Sequence, residues 1–133
     1  MYFVILIDIK IELHYQEMKV IIAGTRYFND YKLLHKYCNH ILQNQQSVEI
    51  VSGCATGADR LGEKYALEKS YSLKKFPADW NNLGKAAGPI RNKEMAEYAD
   101  ALIAFWDGKS KGTLNMIETA KNLNLKVRVC RYA

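Results

Sequence analysis

Three short stretches join glycine, hydroxyl and cationic residues at the ends of apolar runs. Gly24-Thr25-Arg26 closes the first, where glycine permits a sharp exit or a close ligand approach and arginine suits a phosphate. Ser52-Gly53-Cys54-Ala55-Thr56 closes the second and removes bulk just before a helical pattern. Helix N-termini carry unpaired amides and partial positive charge, so this spot suits a phosphate or carboxylate. A tight turn is the competing reading. Thr56 and Asp59 also fit a capping box, which accounts for those two residues by local structure alone. The third stretch, Asp107-Gly108-Lys109-Ser110-Lys111-Gly112-Thr113, follows the most apolar run. Gly108 and Gly112 free its backbone, two lysines add charge, and Thr113 can donate from a first helical turn. It lacks Walker spacing, which excludes a nucleoside triphosphatase of that type.

A fourth segment, residues 78–95, mixes Asp79, Trp80, Lys85, Arg91 and Asn92 with small residues. Trp80 could stack a base or pack a loop onto the core. Arg91 is expected in the first turn of its helix, where a cation opposes the macrodipole and so points to a binding task. Asp79 and Asp107 are the candidate carboxylates if the protein cleaves an N-glycosidic bond, a reaction that develops positive charge on the sugar.

The elements that must position these residues follow from periodicity. From Met18 onward, short continuous apolar runs alternate with amphipathic stretches. Strands are expected at 20–23, 48–51, 73–76, 101–106 and 126–131, with the fourth central. Helices are expected from Asn29 or Asp30 through Leu42, over 58–69, around 91–98, and from Gly112 to Leu123. Lys74 and Lys75 on the third strand suit a sheet edge. This alternation predicts an α/β fold, a Rossmann-like parallel sheet with helices on both faces. Ligands bind such sheets at the carboxyl ends of the strands.

Residues 3–15 alternate apolar and polar and read as an extra N-terminal strand or hairpin. The expected division is an extension over 1–17 and a ligand-binding domain over 18–133. No basic region precedes the first apolar run and Asp8 interrupts it, so it does not read as a signal peptide.

The chain of 133 residues is 49% hydrophobic and 25% charged, ordinary for one globular domain. Its formal charge of +5 leans toward anionic partners. Cys38, Cys54 and Cys130 form no CxxC, and the three histidines have no metal-ligand spacing. No disulfide framework, metal or cofactor is therefore expected, and a reducing, cytoplasmic compartment is the default. No stretch is long enough to span a membrane. Association into a homo-oligomer stays open.

"MKVIIAGTR", "VSGCATGADRLGEKYA" and "GKAAGPIRNKEMAEYADALIAFWDGKSKGT" together resemble the YspA/cpYpsA-related branch of the SLOG superfamily. The resemblance covers essentially residues 18–132. It implies a Rossmann-like domain for nucleotides or nucleotide-derived ligands, with the pocket along the loops just described. Two more distant families are similar in parts. The Lonely Guy phosphoribohydrolases share an arginine at Arg91 and a Gly-Thr at Gly112-Thr113. The glutamate of their PGGxGTxxE motif falls at Met116, and their Pro-Gly-Gly at Asp107-Gly108-Lys109. The DprA Rossmann domain carries SGxARGID, similar to residues 52–59, with Thr56 in place of its arginine. The leading expectation is binding of a small phosphorylated nucleotide derivative, such as a relative of ADP-ribose, for sensing or sequestration. The ligand would contact Gly24, Thr25, Arg26, Ser52, Gly53, Cys54, Thr56, Asp79, Trp80, Arg91, Asn92, Gly108, Ser110, Gly112 and Thr113. A nucleotide N-glycosidase and a single-stranded nucleic-acid binder are the alternatives.

Overall fold

The computed structural model describes residues 17–133. The extension expected over 1–17 lies, apart from Glu17, outside them. Strands β1 (Met18–Gly24), β2 (Val48–Ser52), β3 (Ser72–Lys75), β4 (Ala101–Trp106) and β5 (Lys126–Arg131) form one parallel sheet in the order β3-β2-β1-β4-β5. The connecting helices are α1 (Tyr31–Leu42), α2 (Ala58–Lys69), a single turn α3 (Trp80–Leu83), α4 (Ala87–Tyr98) and α5 (Lys111–Asn122).

Strand parity explains why both faces are covered. Val20 and Ile22 of β1 point to one side with Ile103 and Phe105 of β4, where Leu34 and Cys38 of α1 and Tyr65 and Ala66 of α2 meet them. Ile21 and Ala23 point to the other side with Leu102 and Ala104, against Met95 and Ala96 of α4 and Met116 and Ile117 of α5. A strand buried on both faces must be apolar at every position, and VIIA and LIAF are. All four residues of β3 are exposed, as its lysines suggest for an edge.

The chain runs outward from β1 through β2 to β3, then crosses back to place β4 on the far side of β1. Right-handed crossovers in opposite directions put α1 and α2 on one face and α4 and α5 on the other. The order reverses between β1 and β4, so a crevice opens at their carboxyl ends. Register sets Gly24 opposite Phe105 there.

Several local expectations need correction. The segment leading to Arg91 is helical rather than a loop: α3 and a 3-10 turn (Gly84–Ala86) run directly into α4. Arg91 is therefore in the second turn of α4, and opposition to the dipole is not what sets it apart. Helix α2 is not capped by Thr56. Gly57 takes that position at φ +76° with no side-chain cap bond, because the chain must bend closely past the end of β1. Asp59 does reach back, but to the Ala55 N–H. At α1 the cap is Asp30, accepting from Leu33 N–H at 3.0 Å. Ser110 caps α5 by accepting from Thr113 N–H, so that helix begins at Lys111.

Candidate functional site

A cleft of about 320 Å³ occupies the crevice between the ends of β1 and β4. Gly24 and Arg26 enter it from β1, Trp80 from α3, Arg91 and Asn92 from α4, and Ser110, Gly112 and Thr113 from the start of α5. These eight residues come from three of the four segments that the sequence singles out, those beyond β1, β3 and β4. An adjoining depression shares Arg26, Trp80 and Arg91 and adds Gly53, Cys54 and Thr56.

The remaining candidates stand elsewhere. Thr25 is buried and its hydroxyl accepts from the Asp107 N–H, tying β1 to the loop after β4. Ser52 is buried and donates to Glu63 Oε2 at 2.7 Å, while its oxygen accepts from Cys54 N–H. Asp79 caps α3, accepting from the Asn82 backbone and side-chain amides, and does not line the cleft. Asp107 accepts from the Lys109 and Ser110 N–H groups, both at 2.8 Å, and shapes the loop rather than the cleft wall. Those bonds hold its carboxyl below the usual range, as suits a permanently ionised acceptor. Gly108, at φ +82°, turns this loop beside the Arg131 guanidinium.

Arg91 organises the cleft. Its Nη1 donates to the Gly53 carbonyl and its Nε to Asn92 Oδ1 at 3.0 Å. Asn92 is itself buried and donates to Asn115 Oδ1 at 2.9 Å, which braces the guanidinium from α5. Burial pulls the Arg91 pKa below its ordinary value, and the nearby Asp59 carboxylate opposes that. Arg26 lies over the Trp80 ring, 5.7 Å from its centroid, and Gly88 lets that indole approach α4. A guanidinium on an indole face is held by cation–π attraction while both stay open to a ligand.

The small residues after β2 now have a specific explanation. A Cβ on Gly53 would fall 2.6 Å from Arg91 Nη1 and 2.9 Å from Asp59 Oδ2. One on Gly57 would fall 2.4 Å from the carbonyl oxygens of Thr25 and Arg26. The amides of Cys54 and Ala55 are already taken by Ser52 Oγ and Asp59 Oδ2. The stretch is small so that protein groups can close around it. Gly112 differs: nothing stands within 4 Å of its Cβ position, and it lines the cleft.

The residue that sequence reasoning missed is Asp59. It is 5% exposed, lines the cleft, and burial pushes its carboxyl up to about 6 against the Ala55 hydrogen bond and the pull of Arg91. The signal was available. Asp59, Gly62 and Ala66 share one face of α2 at i, i+3 and i+7, so an acid stands on the stripe that packs on the sheet. Cys54 is not an activated nucleophile, since burial and then Glu63 raise its thiol pKa. No group of three metal-ligating side chains occurs among the described residues, and none of their helices is long and apolar enough to cross a membrane.

Comparison with known proteins agrees with this architecture. The structure is similar to that of DNA processing protein A from Streptococcus pneumoniae, with a TM-score of 0.71 and 19% identity over 92% of this chain. It spans about half of that protein, 53%. DNA processing protein A from Helicobacter pylori, solved to explain its single-stranded DNA binding mode, gives a TM-score of 0.66 at 22% identity, covering 92% of this chain and 69% of that one. In sequence, the chain is 28% identical over 116 residues to the Gene 61 protein of Mycobacterium phage D29, covering 82% of this chain and 93% of the relative. The family model described as YspA, cpYpsA-related SLOG matches residues 18–82, from β1 into α3. Through residues 18–82, the chain is thus similar to the YspA, cpYpsA-related SLOG family.

Proposed function

We propose that the cleft binds a small phosphorylated nucleotide derivative, of the class that includes ADP-ribose, for sensing or sequestration. The observation that carries this reading is the cleft at the sheet's switch point. There the N-terminal turn of α5 meets Arg26, Lys85, Arg91 and Lys111, with the half-exposed Trp80 indole alongside. Cations and a helix N-terminus favour phosphate, and an indole face favours a base. The division expected from the sequence, a ligand-binding unit beginning at Met18, belongs to the same proposal.

A thermal-shift screen over mononucleotides, cyclic nucleotides and ADP-ribose tests it. Ligand at about a hundred times its Kd stabilises the folded state by roughly 2.7 kcal/mol. For a domain of this size that is a rise in Tm on the order of 10 °C. Wild type is expected to respond to at least one compound. Gly112→Val is expected to fold normally and not respond, because its side chain enters open space on the cleft wall. An unresponsive wild type, or a variant that responds equally, would refute the reading.

The N-glycosidase alternative draws less support, since neither Asp79 nor Asp107 lines the cleft. Asp79→Asn is expected to keep the full ligand response, because asparagine caps α3 as well as aspartate does. Release of free base by wild type but not by this variant would instead favour the enzyme. Single-stranded nucleic acid is a second reading, favoured by the +5 charge and the fold shared with the Helicobacter pylori protein. It predicts affinity for oligonucleotides that falls steeply with salt.

A further inference from the structure

Among the described residues, Asp59 is the one carboxylate lining a cleft whose other charged walls are cationic. An acid that costs stability by being buried, in a site for anions, calls for an explanation. Its side chain is tied down on one side only: Oδ2 accepts from the Ala55 N–H at 3.1 Å. Among the described residues no fully buried side-chain polar atom lacks a partner, so Oδ1, which has no hydrogen-bond partner among them, is not fully buried, and Asp59 lines the cleft. A carboxylate accepts about four hydrogen bonds, and most of that capacity is open.

The neighbouring guanidinium is equally prepared. Arg91 is pinned through Nη1 and Nε to Gly53 and Asn92, and its Nη2 has no hydrogen-bond partner among the described residues. The two side chains are neighbours: Arg91 Nη1 and Asp59 Oδ2 both lie within 3 Å of where a Cβ on Gly53 would stand, and both residues line the cleft. An acceptor beside a donor matches a group that both donates and accepts. Adjacent sugar hydroxyls do this. A phosphate does not, since it would face the Asp59 carboxylate. Phosphate is better placed at the other wall, where Lys111 and the first turn of α5 supply positive charge without an acid.

We propose that Asp59 and Arg91 bind the ribose hydroxyls of the nucleotide, with its phosphate at the α5 wall, so that the cleft selects ribonucleotides over 2′-deoxyribonucleotides. This rests on the nucleotide reading above and adds the orientation and sugar class of the ligand. Losing a hydroxyl leaves the charged acceptor unpaired. Hydrogen bonds to charged groups are worth enough to give roughly a ten- to hundredfold preference for the ribo form.

The test is calorimetric titration of wild type and Asp59→Asn with the four 5′-ribonucleoside monophosphates and ADP-ribose, each beside its 2′-deoxy counterpart. The wild type is expected to prefer the ribo form of whichever compound binds. The variant is expected to lose most of that ratio, mainly by weaker ribo binding, and to bind the deoxy form as well as before. A purely structural role for Asp59 would weaken both forms equally and leave the ratio unchanged, which would overturn the inference. So would equal binding of both forms by wild type, while leaving the nucleotide reading intact. If neither form of any compound binds, the nucleotide reading and this inference fall together.

Discussion

Asp59→Asn is expected to make the unliganded protein more stable at pH 7.5, raising Tm on the order of 5–10 °C. Burial pushes this carboxyl up to about 6 in the folded protein from its ordinary value of 3.8. Each unit of such a shift corresponds to about 1.4 kcal/mol, so the buried charge costs on the order of 2–3 kcal/mol at neutral pH. Residue-count scaling converts that to the stated rise. The sign follows from proton binding. Below about 4 both folded and unfolded chains hold the proton, and the group costs nothing. Between about 4 and 6 the unfolded chain releases it while the folded protein retains it, so stability falls as pH rises. Above about 6 the cost is constant. Asparagine keeps an oxygen for the Ala55 N–H and has no charge to bury. Melting curves of both proteins at pH 4 and pH 7.5 decide the matter. The gap should be present at 7.5 and largely close at 4, where Asp59 holds its proton in the folded protein and has no charge to bury. A variant no more stable at 7.5, or a gap that ignores pH, would show that Asp59 bears no such cost. A stabilising loss of a cleft residue is the mark of a group retained for binding rather than folding.

The second large effect separates two glycines four residues apart. Gly57→Ala is expected to destabilise the fold by at least about 3 kcal/mol, enough to lower Tm by more than 10 °C. Gly57 has φ +76° and ψ −127°, a region L residues avoid, and its Cβ would meet two backbone carbonyl oxygens that cannot move without displacing β1. Gly53→Ala meets only the ends of the Arg91 and Asp59 side chains. Those can swing aside, so the fold should survive with a loss of about 1 kcal/mol or less. The displaced guanidinium should abolish the ligand response. Chemical denaturation measures the first variant and thermal shift with ligand the second. A stable Gly57→Ala, or a responsive Gly53→Ala, would break the assignment of turn and site roles to these positions.

The alternation of the sequence is strong where burial is two-sided. VIIA and LIAF could only be strands covered on both faces, and the charge on Lys74 and Lys75 marked an edge, so sheet type, layers and strand positions were legible. The run from Trp80 to Ala86 was not, because Asn81, Asn82 and Gly84 carry weak helix propensity, and contact with α4 supports these turns. Glycine-rich ends of apolar runs located the cleft for the same reason that periodicity located the strands: both are local patterns imposed by backbone geometry.

What each small residue is for could not be local. Ser52, Asp79 and Asp107 have the chemistry of site residues, yet their side chains are spent on Glu63, on the α3 cap and on the loop after β4. Asp59 has the sequence signature of a cap and becomes the acid in the cleft. Residue type and spacing, which the chain carries by itself, determined the sheet, its two helical layers and the edge where the cleft opens. Which polar groups satisfy one another and which are left facing the cleft depends in part on partners far along the chain, 38 residues for Gly53 with Arg91 and 82 for Thr25 with Asp107. Hydrogen-bond satisfaction is a property of packed neighbours, so only the tertiary structure could decide it.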